Sequence, residues 1–383
     1  MRFDVFLTVW GEAFVRKYLE FSLTSQLSPG NLPAAAAEGA DFYYHIFTDR
    51  QSEPHFYPAI ASLQATADVR FRYFDEVPYR GGSLAEAMQN SDPNILKHNV
   101  QRVTSSALAS EAMEAGSSGL ILLDSDFIFS EGSWPAMLAR FNSGARAVCA
   151  MFMRLDEEAA SLRLRAGISG GIAARDLVQI GLDCMHPISA RMFLDADPFT
   201  GYASHINARV GDHGYITHCY FPHPLLVAPE MGGHYSSTMD YEFALRAVAD
   251  DSAIHLIRSS DELLISKMSR HAYLEDQSTG AAPSVGSLAD FALNNTNQRH
   301  QLFMAQPIRF RASGVDETWD LEEMRSTKMV EEIYKTIELT LANAGPGKAQ
   351  NLVNLKSYMG PIEDYMSPQT RARLKGWLPD RGE

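Results

Sequence analysis

The stretch Leu120-Ile121-Leu122-Leu123-Asp124-Ser125-Asp126-Phe127-Ile128-Phe129 runs four apolar residues directly into two acids set one residue apart. An apolar run without polar alternation reads as a central parallel strand covered on both faces. Ligands of open α/β sheets bind outside the carboxyl ends of the strands, and Asp124 and Asp126 stand at such an end. Carboxylates spaced in this way both reach a hard cation. Mg²⁺ or Mn²⁺ prefers such oxygen ligands together with substrate phosphates. The cation then neutralises charge that develops on a diphosphate leaving group. The bland alternative is a solvated acidic turn.

Outward from this strand, the first half alternates strand-like and helix-like segments. Residues 3–10 read as a buried strand and 12–26 as an amphipathic helix closed by Ser28-Pro29-Gly30. Further strands are expected at 42–48 and 69–74, with a helical stretch at 56–65. Asp92-Pro93 has the form of an N-cap followed by proline at the first helical position, opening a helix to Ala115 that Gly116 stops. A helix at 133–142 and a strand at 145–152 follow. This alternation predicts a doubly wound, mostly parallel α/β sheet flanked by helices.

Beyond residue 155 the alternation loosens. A glycine-rich turn at 167–171, a helix at 176–182, a strand at 214–221, a helix at 239–249 and a strand at 254–258 are expected. After Asp276 the composition shifts to Ser, Gly, Ala and Pro, which marks a linker through Ser287. The remainder reads as polar helix, notably 321–342, and no internal repeat is visible.

The 383 residues are 45% hydrophobic and 21% charged, enough for a large core and against wholesale disorder. A formal charge of −14 argues against a general nucleic-acid binder, which needs a basic face. It also argues against broad adhesion to anionic lipid, while leaving room for a local peripheral contact. No run approaches the roughly 20 apolar residues that span a bilayer, and the first ten residues lack a signal-peptide pattern. Cys149, Cys184 and Cys219 are an odd number at unmotivated spacings, so core thiols in a reducing cytoplasm are expected.

The stretch LILLDSDFIF resembles the DxD element of GT-A glycosyltransferases. Its setting is similar to the glycogenin-like and galactosyltransferase-like members, where a long helix precedes "YLDsD". In those families the helix carries an arginine facing the donor. Arg102, in HNVQRVTSSALASEA, stands in a comparable place and shares a helix face with His98. The first two strands end at Thr8-Val9-Trp10-Gly11 and Phe47-Thr48-Asp49. In the family such ends hold the nucleotide base and ribose, which makes Trp10, Gly11 and Asp49 donor-site candidates beside His98, Arg102, Asp124 and Ser125. The resemblance covers about residues 3–153 in organisation, with the DSD stretch its specific part.

A second constellation is Gly232-Gly233-His234-Tyr235-Ser236-Ser237-Thr238-Met239-Asp240-Tyr241-Glu242, a glycine-led approach to a helix that Ser237 or Thr238 can cap. Acids in a first turn ordinarily compensate the helix dipole. The resemblance implies a sharper role for Asp240, on the acceptor-side helix. There it is the general base of an inverting reaction, or it steadies an oxocarbenium-like centre in a retaining one.

Glycogenin-like enzymes complete the metal site with a histidine from a late loop, which points to His271 or His234 beside Asp124 and Asp126. A lone histidine is also a common structural residue, and His218 and His223 are open to either role. Lys97 and Arg154 can meet phosphates or solvate element ends, and the Asp261-Glu262 pair reads as a solvated turn.

The implied protein is a GT-A-like catalytic domain over 1–275, with a donor half at about 1–153 and an acceptor half at about 154–275. A linker and helical extension occupy 276–383 and brace the domain, form a homodimer contact or touch the acceptor. The implied activity is metal-dependent transfer of a sugar from a UDP- or GDP-sugar to a hydroxyl on a glycan, lipid-linked glycan or protein, with Mn²⁺ or Mg²⁺ as cofactor. One alternative is a sugar-phosphate nucleotidyltransferase, but Trp10-Gly11-Glu12-Ala13-Phe14 lacks the glycine-rich loop such enzymes carry. A dehalogenase-type phosphatase is disfavoured because Phe127 and Ile128 stand where its signature needs Gly or Thr. A non-catalytic nucleotide- or glycan-binding module is the third alternative.

Overall fold

The computed structural model describes residues 1–89, 93–228, 238–274, 279–280 and 282–343. The chain divides into two compact units, Met1–His186 with Pro222–His271, and Pro187–Phe221 with the described part of Ala272–Glu383. The first unit therefore leaves out 187–221, a stretch that the sequence analysis places in one continuous domain.

In the first unit, β1 (Arg2–Thr8) leads into helix α1 (Glu12–Lys17). The helix continues through a wider turn at Tyr18–Leu23 and ends at Thr24–Gln26, matching the expected helix of 12–26. Next come β2 (Asp41–Thr48), β3 (Asp68–Tyr73) and the long helix α2 (Pro93–Glu114), which ends before Gly116 at φ 68°. Its expected cap, Asp92, lies outside the described residues. Then follow β4 (Gly119–Leu123), β5 (Phe127–Phe129), α3 (Ser133–Asn142), β6 (Ala147–Ala150) and β7 (Phe152–Asp156). The unit resumes with β8 (His223–Val227), α4 (Met239–Ala247), β9 (Ile254–Leu256) and β10 (Ile265–Ser269).

The main sheet has seven strands in the order β9-β6-β8-β4-β1-β2-β3. β1 runs parallel to β2 and β4, β2 to β3, and β9 to β6, whereas β8 runs antiparallel to both β4 and β6. All five residues of β4 are buried, as its unbroken apolar run requires. Phe3, Val5, Leu123, Val148 and the fully buried Trp134 belong to the same core, and each such side chain contributes about 1.5–3 kcal/mol through burial. The strand expected at 145–152 is two strands. Ala147–Ala150 stays in the main sheet, while β7 joins β5 and β10 in a separate three-stranded ladder, β5-β10-β7.

The second unit is mixed α/β. Strands His205–Arg209, Gly214–Cys219 and Ile308–Arg311 form an antiparallel sheet. Helices Val285–Asn295 and Asp316–Ala342 contribute Leu288, Val330, Ile333 and Ile337 to its apolar cluster. The serines assigned to a linker instead start a helix. Ser284 Oγ accepts from the Ser287 backbone at 3.1 Å, and Ser287 Oγ accepts from the Ser284 backbone at 3.0 Å. This reciprocal cap satisfies two orphan N–H groups. All three cysteines are free and buried. Among the described residues, no helix is long and apolar enough to cross a membrane.

Glu131, between β5 and α3, ties the region after the acidic pair to two loops. Its carboxylate accepts from Ser28 Oγ and the Gly30 backbone, and its own N–H donates to Ile172 O at 2.9 Å. A Cβ on Gly171, whose φ is +88°, would lie 2.1 Å from Glu131 Oε2. At Gly144, with φ +108°, a Cβ meets nothing within 4 Å. Gly144→Ala should therefore cost only the left-handed backbone penalty, about 1–2 kcal/mol. Gly171→Ala should cost that plus about 1–3 kcal/mol from displaced Glu131 hydrogen bonds. Urea unfolding measures both, and in a Glu131→Ala background the excess at Gly171 should vanish. Equal costs in the two backgrounds would contradict the clamp.

Candidate active site

Asp124 and Asp126 follow the carboxyl end of β4, as the sequence requires, and a lysine bridges them. Lys267 Nζ donates to Asp124 Oδ2 and lies 3.7 Å from Asp126 Oδ1. Its placement follows from strand register. On β10, Lys267 pairs with Phe127 of β5 on one side and Arg154 of β7 on the other. Residues directly opposite in a ladder point to the same face, so the lysine and the arginine stand side by side. The ammonium lies 5.5 Å from the Phe127 ring centre and 5.4 Å from that of Phe152, so the aromatic faces add to its attraction.

The carboxylates are mostly covered, with Asp124 12% exposed and Asp126 26%. Burial disfavours the Asp124 charge, yet Lys267, His223 and a hydrogen bond from Gln101 Nε2 hold its carboxyl well below the usual range. Burial pushes Asp126 above its ordinary value, with Lys267 opposing and Asp124 adding to the rise. Burial also opposes the Lys267 charge, but the two carboxylates keep it protonated, far above an ordinary lysine. Arg154 and Lys17 act electrostatically on Asp126 as well. Arg154 Nη1 donates to Ser269 Oγ at 2.6 Å, and Lys17, at the end of α1, pairs with Glu157.

A third acid reaches this end of the sheet. Because β8 runs antiparallel to β4, its first residue, His223, stands where β4 ends. His223 Nε2 donates to Leu122 O at 2.9 Å, and Nδ1 lies 2.7 Å from Asp240 Oδ1 in the first turn of α4. Both ring nitrogens face acceptors, so the ring bonds to both as the imidazolium. Its side chain is 1% exposed, and burial opposes that charge, but Asp240 and then Asp124 raise its pKa above 6.5. Thr238 is the residue before α4, whereas Ser237 and His234 lie outside the described residues.

The other expected donor-site residues line the neighbouring strand ends. Trp10 meets Phe74 edge-on at 5.4 Å. Gly11, at φ 81°, donates its N–H to Ser52 Oγ at 2.7 Å, and Asp49 Oδ1 accepts from Ser52 N at 2.7 Å. Ser125 is half-buried between the two acids. His98 is exposed on α2, within electrostatic reach of Asp124, Lys267 and Asp240.

Arg102 is next to the α2 residue that meets Asp124. Its Nη2 turns to Asn99 Oδ1 at 3.5 Å, and the α2 side chain that meets Asp124 is Gln101. Adjacent helical residues lie about 100° apart around the axis, so Gln101 and Arg102 leave α2 in different directions. His271 bonds through Nδ1 to Asp156 Oδ2 at 2.7 Å. His218 lies in the second unit, between Met304 O at 2.9 Å and Ser326 Oγ at 3.1 Å. Asp261 and Glu262 are paired with Arg175 and Arg140.

The donor set does not fit a divalent ion as it stands. Among the described residues, no three of His, Cys, Asp and Glu come together as a metal-binding group. The two acids that would hold the ion already hold an ammonium. The sequence left Lys267 and Gln101 without roles at this pair. One signal was available for Lys267, since lysine is almost never buried in an apolar strand unless paired.

No protein-family model matches the sequence, and no curated protein matches it. Among solved structures, the chain is similar to mouse xyloside xylosyltransferase 1 in its apo form, at 13% identity and a TM-score of 0.26, over 43% of this chain and 59% of that one. It is also similar to TarS of S. aureus, at 8% identity and a TM-score of 0.30, over 99% of this chain and 50% of that one. The chain thus spans 59% of the first structure's length and 50% of the second's.

The raised His223 pKa has a consequence for stability. A group whose folded pKa exceeds its unfolded value stabilises fully below the unfolded value and loses that contribution as pH rises through the folded one. Urea midpoints should therefore fall as pH climbs above 6.5, the ordinary value for the ring. Asp240→Asn should remove that decline, since Asp240 is the main source of the upward pull. An identical decline in the variant would rule out the His223–Asp240 pair as its origin.

Proposed function

We propose that this chain is a glycosyltransferase that moves a sugar from a nucleoside-diphosphate donor, UDP- or GDP-linked, to an acceptor hydroxyl. The observation that carries this proposal is the convergence of Asp124, Asp126 and Asp240 at the carboxyl end of β4, with His223 joining the end of that strand to Asp240. Such strand ends are where α/β sheets take their ligands. The diphosphate is assigned to the pair and its neighbouring cations. The base and ribose are assigned to the ends of β1 and β2, near Trp10, Gly11 and Asp49.

In the transfer, the acceptor oxygen bonds to the sugar carbon while the bond from that carbon to the diphosphate oxygen breaks. The acceptor proton goes to Asp240 if the reaction inverts. If it retains, the departing diphosphate oxygen takes the acceptor proton, and the Asp240 carboxylate steadies positive charge at the sugar carbon. His223 fixes one oxygen of Asp240, and the carboxylate is 33% exposed, so it can meet an acceptor. The Mn²⁺ or Mg²⁺ expected from the sequence belongs to this proposal as a competitor of Lys267 for the same oxygens.

Nucleoside diphosphate released from a panel of nucleotide sugars with hydroxyl acceptors tests the assignment. Loss of general-base action costs about 10²–10⁴ in rate, so Asp240→Asn should lower kcat by that order while donor affinity stays level. Wild-type turnover in this variant would return Asp240 to a role at the helix end. Gln101→Ala should weaken donor binding more than Arg102→Ala, because Gln101 touches Asp124. Pyrophosphate release from a nucleoside triphosphate would favour the nucleotidyltransferase alternative, and binding without turnover the non-catalytic one.

A further inference from the structure

We propose that Lys267 is the built-in cation of the donor site, so that this chain binds a nucleoside diphosphate without a divalent metal. The inference rests on the donor-site assignment above. Its observation is the ammonium that bonds to Asp124 and lies 3.7 Å from Asp126, in the place where two acids spaced in this way would grip an ion.

A metal-holding acid pair works by presenting one positive centre to the carboxylates on one side and to substrate phosphates on the other. Lys267 meets the first half of that requirement. An ammonium has three N–H donors, and the hydrogen bond to Asp124 uses one. The group stays 20% exposed, so its remaining donors are not sealed from the cleft. Arg154 is fixed on the same face by ladder register, and both it and Lys17 act on Asp126. The diphosphate would thus meet several cations from three elements, α1, β7 and β10.

A divalent ion entering the pair would have to expel the ammonium from both carboxylates and from its seat over Phe127 and Phe152. The stem and charge of Lys267 are held by packing and by strand pairing on both sides. The strand places the cation, so no ion need be recruited from solution.

The test is calorimetric titration of full-length protein with UDP and GDP, in excess EDTA and in Mn²⁺. Wild type should bind one of them about equally in both conditions. Lys267→Met keeps the apolar stem, removes the charge and should weaken binding in EDTA by about 10- to 100-fold, the value of a charged hydrogen bond. In Mn²⁺ the same variant should regain affinity, since its freed carboxylates can then take the ion. Lys267→Arg should keep binding in EDTA, and it guards against a Met variant that fails to fold.

Wild-type binding that vanishes in EDTA, with Lys267→Met unaffected in Mn²⁺, would overturn this inference and leave the donor-site assignment standing. No binding of either nucleotide in either condition would overturn both.

Discussion

Two carboxylates on one short loop, both largely withdrawn from water, repel each other and lose hydration, so a fold that places them so must supply positive charge. Here the charge comes from Lys267, and much of the local architecture serves to deliver it. β5 continues directly from the acids, β10 lies against β5, and β7 lies on the far side of β10. Lys267 therefore reaches the pair from the middle strand of a ladder whose first strand begins at the residue after Asp126. Removing the lysine from such a site leaves two buried like charges facing each other. Removing the acids leaves a buried ammonium. Each half costs stability without the other, and strand pairing in the secondary ladder brings the two together.

The reversed strand β8 adds a second constraint. In a purely parallel sheet every strand would bring its last residue to the ligand end. β8 brings its first, and that residue is a histidine with both nitrogens engaged. The imidazolium couples the backbone of β4 to an acid on a helix distant in sequence. Asp240 is thereby held by the sheet as well as by its own helix, and a carboxylate positioned from two sides loses little conformational freedom when it meets a ligand.

The parts of the fold carried by local pattern were legible in the sequence. The apolar run of β4, the helix stopped before Gly116 and the parallel sheet all follow from periodicity and end signals that do not depend on distant residues. The parts set by register were not. Arg102 and Gln101 differ by one helical position, and nothing in HNVQRVTSSALASEA says which of them faces the acids. Within LLISKMSR, Lys267 is one polar residue among several, and its partner acids lie more than a hundred positions earlier. The serines near 284 look like spacer by composition but act as a helix cap by geometry. The departure of 187–221 into a second unit is not read from strand pattern either, because Gly214–Cys219 is as fully buried there as β4 is in the main sheet.

A lysine attacks a carbonyl or an activated acyl group only as the free amine. The two carboxylates beside Lys267 keep it protonated well beyond an ordinary lysine, so its free-amine fraction at neutral pH is far smaller than that of a surface residue. This amine is therefore withheld from imine formation and slow towards acylating reagents. It stands beside the two acids as a fixed charge, not as a nucleophile.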